Sequence, residues 1–196
     1  MLTRLLSRSE IPLIWTIDRS EHIEKSYRLQ DGVLVLEPRS IEAKGWPGGE
    51  PEADTPIFYR CFDVGGAFYG TFDGAKLAGI AIVDPAPVTS LPTLVQFRFL
   101  HVDRAYRKLG LGSALFASAA EAARRFGASG LYISATPTEN TVNFYRHLGC
   151  TVLGLPDPEL FALEPDDIHL QWLADTPGTP VSHAAEQLHS DLDEQS

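Results

Sequence analysis

The six residues Arg-Lys-Leu-Gly-Leu-Gly at 107–112 combine positive charge with two closely spaced glycines. Gly110 and Gly112 have no Cβ, so the backbone there can come close to a ligand. If a helix begins at this point, its first N–H groups have no intrahelical partner and lie at the positive end of the helix dipole. Phosphate oxygens bind at such a helix start, and Arg107 can reach the same anion. The segment therefore predicts a phosphate-binding turn, with a tight turn that binds nothing as the alternative.

Two regular elements must position this turn. The run TLVQFRFLHV (93–102) is apolar and rich in branched and aromatic residues, which is typical of a buried strand. The run SALFASAAEAARRF (113–126) consists of strong helix formers, with Leu115, Ala119 and Ala123 on one face. Gly127 marks the expected end of the helix. The predicted unit is therefore a strand, a glycine-containing turn and a helix.

Two common phosphate loops do not fit this turn. The dinucleotide pattern GxGxxG fails because position 115 is Leu, and the Gly-Lys-Ser/Thr of the P-loop is absent. The run LHVDRAYRKLGLG (100–112) instead resembles the acyl-CoA signature of the GNAT N-acetyltransferases, whose core is Arg/Gln-x-x-Gly-x-Gly/Ala. This resemblance implies that the phosphate is the pyrophosphate of coenzyme A.

A second segment, LYISATPTENTVNFYRHLGC (131–150), resembles the same family in the same order and at a normal separation. It begins as a strand and becomes a helix after Pro137, and Phe144, Tyr145 and Gly149 match the family pattern. Cys150 stands where relatives usually carry an aromatic residue. The resemblance covers about residues 67–173. It implies an α/β (α+β) fold of the GNAT acyl-CoA acyltransferase type, with helices flanking a mostly antiparallel, splayed central sheet.

The resemblance also implies acetyl-CoA as the cofactor. In the family, the pantetheine arm pairs with the backbone of the strand before the signature, and the pyrophosphate takes N–H groups from the glycine loop. Several relatives contact the coenzyme with an Asn at a position that is Thr138 here, and Asn140 follows two residues later. The predicted coenzyme-binding residues are Leu100, Val102, Arg107, Lys108, Leu109, Gly110, Leu111, Gly112, Ser113 and Asn140.

Acetyl transfer from a thioester to an amine requires a group that protonates the departing thiolate. Tyr145 matches the tyrosine that has this role in many relatives, so the resemblance implies that it is the general acid. A phenol, with a pKa of about 10, holds its proton more firmly than a thiol, with about 8.5. A hydrogen-bonded core tyrosine is the alternative.

The strand before the signature lacks the Glu or His that relatives often carry on its inner face. Counting back from Arg107 places Gln96 and Arg98 there, and neither accepts a proton near pH 7. Three explanations stay open. A water chain leads to His101 or to a carboxylate, the amine is already partly neutral, or Arg98 binds a carboxylate of the acceptor. A structural ion pair is an equally good account of Arg98.

The acceptor pocket of this family is lined by the first helices, their loop and the last hairpin. Aromatic and acidic side chains from these segments would suit a cation. The residues predicted to contact the acceptor are Gln96, Arg98, Trp46 and Tyr59. We expect the loop 38–54 to be a substrate lid.

Composition bears on partners and location. A formal net charge of −10 argues against nonspecific nucleic-acid binding. No apolar run approaches the roughly 18 residues of a membrane span, and no metal ligand is assigned. Two cysteines are too few for a disulfide framework, so we expect a cytoplasmic location. We expect one domain over residues 1–174 and an acidic, flexible tail over 175–196.

Together these observations predict a cytoplasmic, acetyl-CoA-dependent N-acetyltransferase. It would move the acetyl group to a primary amine of a small molecule by direct transfer in a ternary complex. The alternatives are a protein N-acetyltransferase and a catalytically silent acyl-CoA-binding sensor. An exposed last strand would permit a homodimer.

The remaining elements follow from apolar periodicity and turn residues. Before the motifs, we expect a strand at 11–17, a helix at 18–27, a turn at Asp31-Gly32, a strand at 33–37, a helix at 55–64, a hairpin of 67–73 with 76–84, and a loop at 85–92. After them, we expect a strand at 151–154, a helix at 157–164 and a strand at 167–174.

Overall fold

The computed structural model describes residues 1–174. The strands are β1 Leu2–Leu5, β2 Glu21–Gln30, β3 Val33–Ala43, β4 Ala67–Asp73, β5 Lys76–Val88, β6 Leu91–Val102, β7 Gly130–Ala135, β8 Thr151–Val152 and β9 Ile168–Leu173. The α-helices are α1 Glu50–Asp63, α2 Leu111–Arg125, α3 Glu139–His147 and α4 Pro158–Leu163, and a 3₁₀ helix spans Arg8–Thr16.

A seven-stranded sheet forms the centre of the molecule, in the order β1-β4-β5-β6-β7-β9-β8. Every neighbouring pair is antiparallel except β6 and β7, which are parallel. Helices α2 and α3 cover one face through a core that includes Leu115, Phe116 and Val142. The 3₁₀ helix and α1 cover the other face through a second core that includes Ile14 and Phe58. The mostly antiparallel, helix-flanked sheet that the sequence predicts is confirmed.

The parallel pair at the centre is short. Strands β6 and β7 pair only from Leu94–Gly130 to Gln96–Tyr132. Beyond Gln96, β6 continues for six more residues without a β7 partner, so the two strands separate into a gap. This gap is the predicted splay, and it leaves one edge of β6 free of sheet pairing.

The N-terminal region differs from the prediction. Residues 11–17 lie mainly in the 3₁₀ helix rather than in a strand. A capping box formed by Ser7 and Glu10 begins that helix, and Ile11 and Ile14, three residues apart, are both fully buried. One turn of a 3₁₀ helix is three residues, so this spacing buries both side chains on the same side. Periodicity alone does not distinguish strand from helix in so short an apolar run, so the predicted strand was wrong.

Residues 18–27, predicted as a helix, lie mostly in strand β2. The turn at Asp31-Gly32 is confirmed, with φ values of 50° and 78°, and it lets β2 pair along its length with β3. The hairpin then packs against α3: Tyr27 N–H donates to the Pro137 carbonyl at 2.7 Å, and the Tyr27 hydroxyl donates to Asn143 at 3.0 Å. Non-local pairing therefore overrides the helical preference of the Glu and Lys residues in this segment.

Three other boundaries change. Helix α1 begins at Glu50 behind a left-handed Gly49, so the predicted lid loop is reduced to residues 44–49. Strands β5 and β6 reach Val88 and Leu91, so the loop predicted at 85–92 is mostly strand.

Strand β9 lies between β7 and β8. The last strand of the chain is therefore not at the edge of the sheet. The homodimer, which was predicted from an exposed last strand, stays a prediction. The acidic tail predicted at 175–196 lies outside the described residues, and none of the described helices is long and apolar enough to cross a membrane.

Candidate active site

A cleft of about 590 Å³ lies against the unpaired end of β6, at Leu100 and Val102, and between the first turns of α2 and helix α3. All predicted coenzyme-binding residues except Leu109 line it, and so does Tyr145. The residues predicted from two separate motifs thus form one continuous surface in the structure. Its lining also includes Arg104, Tyr106, Thr141 and Phe144, and Ser20, Glu21 and His22 from the segment that enters β2.

The glycine loop ends in a helix start that faces the cleft. Lys108 and Gly110 have φ values of 63° and 81°, and α2 begins directly afterwards at Leu111. A side chain at Gly110 would meet nothing within 4 Å, so glycine is favoured there by its left-handed backbone rather than by space. At Gly112, a Cβ would lie 3.1 Å from the Phe144 ring. That glycine lets the start of α2 approach α3 closely.

The Arg107 guanidinium is engaged by backbone carbonyls at the edge of the cleft. It donates to three carbonyls, those of Val102 at 3.3 Å, Ser20 at 3.2 Å and Arg19 at 3.1 Å. The side chain therefore fastens the segment before β2 to the end of β6. It stays half-buried at the cleft wall, beside the exposed Lys108.

The segment around Glu21 is a part of the site that sequence reasoning missed. Asn140 donates to the Glu21 carboxylate at 2.8 Å, which joins the start of α3 to the start of β2 across the cleft. Thr138 instead caps α3, since its hydroxyl accepts from the Thr141 N–H at 3.2 Å. No local signal points to Ser20, Glu21 or His22, because their place at the cleft depends on the hairpin packing.

Tyr145 lies at the inner end of the cleft with 6% of its surface exposed. Its ring lies near Phe97, Phe116 and Phe144, with centroid distances of 6.4, 6.2 and 5.1 Å. Burial, with smaller effects from Cys150 and Asp167, raises the pKa of the Tyr145 hydroxyl above its ordinary value. The hydroxyl is therefore protonated throughout the neutral range and can donate a proton.

Strand β6 contains a β-bulge, which changes the face of the sheet on which successive side chains lie. Ile82 pairs with Phe99 and Val83 with Phe97, which leaves Arg98 as an extra residue. Phe97, Leu100 and Val102 therefore pack on the α2–α3 side, whereas Phe99 packs on the α1 side. Alternate residues of an unbroken strand share a face, so the sequence predicted Arg98 on the same face as Leu100. The bulge at Arg98 breaks that alternation.

The residues predicted to contact the acceptor lie outside the cleft. Arg98 forms an ion pair with Asp84 at 2.8 Å on neighbouring β5, and its Nε is buried without a hydrogen-bond partner within residues 1–174. Gln96 forms the last pair with β7 before the gap. Tyr59 lies on α1 under the Arg8 guanidinium, 4.3 Å from the ring centroid. Trp46 donates to the Ile17 carbonyl at 3.0 Å.

His101 is half-buried against two aromatic rings and does not line the cleft. Trp46 and Phe99 lie 4.9 and 4.4 Å from it between ring centroids. Burial, with the charges of Arg19 and Arg107, lowers the pKa of His101 to about 3. The ring is neutral at pH 7 and is a very weak base.

Comparison with known proteins agrees with this geometry. The sequence model of the acetyltransferase (GNAT) family matches residues 35–150. No curated protein sequence matches the chain. Among solved structures, nourseothricin acetyltransferase superposes with a TM-score of 0.66 at 21% identity, covering 88% of this chain and 97% of that chain.

Two further structures of the same fold contain the coenzyme. A Bacillus anthracis str. Ames protein in complex with acetyl coenzyme A has a TM-score of 0.59 at 18% identity, covering 89% of this chain and 97% of that chain. The PaiA N-acetyltransferase from Thermoplasma acidophilum, in complex with coenzyme A, has a TM-score of 0.56 at 14% identity, covering 88% and 98%. The family model spans more than half of the sequence, and the splayed sheet, glycine loop and cleft are in place. The chain therefore belongs to the GNAT acetyltransferase family.

Proposed function

We propose that the protein is an acetyl-CoA-dependent N-acetyltransferase that acts on a primary amine of a small molecule by direct transfer in a ternary complex. The observation that carries the proposal is the single cleft that leads from the glycine loop, along the free edge of β6, to Tyr145. The donor-binding end and the proton-donating end of an acyl transfer are thus parts of one surface.

The residues of the cleft fit acetyl-CoA. The N–H groups at the start of α2 and the nearby Lys108 and Arg104 suit the pyrophosphate. Leu100 and Val102 lie on the free edge of β6, where their backbone groups can pair with the amide groups of the pantetheine arm. When bound, the coenzyme supplies an acetyl thioester that is activated for attack by an amine. We assign Tyr145 to proton donation to the departing sulfur, because its hydroxyl is protonated and lines the same cleft.

A small-molecule acceptor is supported by the shape of the N-terminal region. The β2–β3 hairpin packs on α3 and on the loop after β7, so it limits the space for an extended peptide at this end of the cleft. Nourseothricin acetyltransferase, among the structures described above, acts by its name on an antibiotic. We therefore place amine-containing antibiotics first among the acceptors, followed by polyamines and amino acids. Two free, buried cysteines support a cytoplasmic location.

Two measurements test the proposal. Titration calorimetry with acetyl-CoA tests the donor, and an absence of binding at high micromolar concentration would contradict it. Coenzyme A release in the presence of nourseothricin, spermidine, lysine and a short peptide tests the acceptor. We expect release with at least one small amine and little with the peptide.

The same amine panel distinguishes the alternatives. Preferential acetylation of the peptide would favour a protein N-acetyltransferase, a class represented among the solved structures by a ribosomal-protein-alanine N-acetyltransferase from Brucella melitensis. Tight acetyl-CoA binding without release on any amine would favour an acyl-CoA sensor.

A further inference from the structure

The proposed reaction requires a group that removes a proton from the acceptor ammonium, and strand β6 does not supply one. Gln96 is an amide, and Arg98 is held as a cation by Asp84. His101 packs against two aromatic rings and its pKa is lowered to about 3. A carboxylate on another element near the gap would meet this requirement.

His169 on β9 lies near this region but is already occupied. Its Nδ1 lies 2.8 Å from the Tyr132 hydroxyl, and its Nε2 lies 3.1 Å from the Glu164 carbonyl. A carbonyl only accepts, so Nε2 carries the proton and Nδ1 accepts from Tyr132. Both ring nitrogens are engaged in this network, which leaves none for an ammonium.

Asp167 lies beside the end of β7 at which the gap opens, next to β9 on the other edge of β7. It directly precedes Ile168, the first residue of β9, whose partner is Ala135 at the last position of β7. The β7 residues 133–135 are those that have lost their β6 neighbour. Asp167 is half-buried, its N–H donates to the Glu164 carbonyl at 3.2 Å, and it is close enough to Tyr145 to affect that hydroxyl electrostatically.

The surroundings of Asp167 favour a carboxyl group that readily takes up a proton. The charged groups that act on it are Glu164 and Asp166, both acidic, and within residues 1–174 no cation offsets them. Burial also raises the pKa of Glu50 on α1, but Glu50 has a cationic partner, Arg19, at 3.3 Å. Asp103 is paired with Lys76 at 3.0 Å. Burial, together with Glu164 and Asp166, raises the pKa of Asp167 to about 7. A base whose pKa lies near the working pH is the most effective kind.

We propose that Asp167 is the general base of the transferase, taking a proton from the ammonium of the acceptor beside the end of β7 at which the β6–β7 gap opens. This inference rests on the proposed function. The Asp167 carboxylate accepts one proton from R–NH₃⁺ and leaves a neutral amine. The nitrogen lone pair forms a bond to the thioester carbonyl carbon, and the carbon–sulfur bond then breaks. The sulfur takes its proton from Tyr145, and the second amine proton, released as the amide forms, restores the Tyr145 hydroxyl.

The test uses Asp167→Asn, with Asp166→Asn as a matched control that removes the neighbouring exposed carboxylate. With an amine that the wild type acetylates, we expect kcat/KM of Asp167→Asn to fall about 100-fold at pH 8. The wild-type rate should rise with pH up to about 7 and then level off, and Asp167→Asn should lose this dependence. An analogue of the same amine that is fluorinated beside the nitrogen, and hence neutral at pH 8, should restore most of the lost rate.

Two readouts do not depend on turnover. Acetyl-CoA affinity of Asp167→Asn should equal that of the wild type, because the residue is outside the coenzyme cleft. The folded state binds the Asp167 proton more tightly than the unfolded chain does, so this carboxyl lowers stability increasingly as pH rises from about 4 to 7. The Tm of Asp167→Asn should therefore exceed that of the wild type more at pH 8 than at pH 4.

The outcomes separate the two proposals. If the wild type acetylates an amine and Asp167→Asn keeps both its rate and its pH profile, Asp167 is not the base while the proposed function stands. Equal losses in Asp166→Asn and Asp167→Asn would also contradict the assignment, since they would indicate a general effect of negative charge. If the wild type acetylates no amine at all, the proposed function fails and this inference fails with it.

Discussion

Tyr145 combines two properties that a proton donor needs. Its ring is held among aromatic side chains of β6, α2 and α3, and its hydroxyl keeps its proton because burial raises the pKa. The packing fixes the position of the ring, and the burial fixes its protonation state.

Tyr145→Phe removes the proposed proton donor and keeps the ring. We expect kcat to fall about 10²-fold, the range for loss of a general acid, while the acetyl-CoA affinity stays within about twofold. Because the pKa is raised, the wild-type rate should show no decline from Tyr145 deprotonation up to pH 10. Coenzyme A release against pH, together with titration calorimetry, checks both points. An unchanged kcat in the variant would remove Tyr145 from catalysis.

At the residue scale, most of the residues that line the cleft were predictable from the sequence, and the surroundings of Asp167 and Arg98 were not. Gly110, Gly112 and Tyr145 lie in short contiguous motifs, so their chemistry is visible in the sequence. Asp167 belongs to no motif, and its place beside the end of β7 results from the β7–β9 register. Arg98 is paired with Asp84 on β5, which makes a contact with an acceptor carboxylate less favourable. The segment around Arg98 does not reveal this partner.

At the element scale, the start of α2 depends on its close approach to α3. A Cβ on residue 112 would lie 3.1 and 3.2 Å from two ring atoms of Phe144, which is closer than ordinary van der Waals contact. The ring is part of the cleft wall, so any displacement moves the coenzyme site as well.

Gly112→Ala should therefore lower the free energy of unfolding by about 1 kcal/mol and weaken acetyl-CoA binding several-fold. Gly154→Ala is the matched control, because nothing lies within 4 Å of a Cβ at that position. Urea unfolding and titration calorimetry measure the two effects. A Gly112→Ala protein with unchanged stability and affinity would show that the Phe144 ring moves aside without cost.

Asp103 joins three elements at the end of β6. It is 2% exposed, forms an ion pair with Lys76 of β5 at 3.0 Å, and accepts from the N–H groups of Asp18 and Ala105 at 3.2 and 3.0 Å. Burial opposes its ionisation, but these donors together lower its pKa. Its stabilising effect is therefore present above the ordinary Asp pKa and is lost as pH falls.

Asp103→Asn should lower the free energy of unfolding by about 1–3 kcal/mol at pH 7, because an amide leaves part of this donor set unmatched. The loss should shrink as pH falls below the ordinary Asp pKa, because the wild-type carboxyl then also becomes protonated and loses its stabilising charge. Asp73→Asn is the control, since that exposed carboxylate accepts one side-chain hydrogen bond within residues 1–174, from the Tyr106 hydroxyl. A change within about 0.5 kcal/mol is expected. Equal losses in both variants would mean that the contacts of Asp103 stabilise the fold no more than those of an exposed carboxylate.

Elements with local signals were predicted correctly, and those that depend on distant partners were not. Helix α2, the β4–β5 hairpin and the Asp31-Gly32 turn follow from residues within each segment. The strand at 21–30 exists because it pairs with β3 and packs on α3, and neither contact is visible in its own residues.

At the scale of the whole molecule, the N-terminal hairpin and the coenzyme loop are one connected unit. The Arg107 side chain holds the carbonyls of Arg19 and Ser20, and Asn140 holds Glu21 from the other side of the cleft. Ligand that fills the cleft would contact all three segments.

Acetyl-CoA binding should therefore slow amide hydrogen exchange in residues 19–23 as well as in the glycine loop. At a ligand concentration of about 100 times the Kd, the added stability is about 2.7 kcal/mol for a two-state protein. Hydrogen–deuterium exchange with mass spectrometry, with and without acetyl-CoA, checks this expectation. Protection confined to residues 107–113 would show that the hairpin is independent of the site.

The extra residue at Arg98 has a consequence for how this chain tolerates change. Before Arg98 the odd-numbered residues of β6 face α2, whereas after Arg98 the even-numbered residues do. A one-residue deletion there would restore an even strand and turn Val95 and Phe97 away from α2, whereas the coenzyme edge after the bulge would keep its orientation. Homologous sequences that lack the extra residue, if aligned across this point without a gap, would therefore have their donor-facing and acceptor-facing positions exchanged on one side of residue 98. Libraries that seek new acceptors should vary the two stretches of β6 as separate sets.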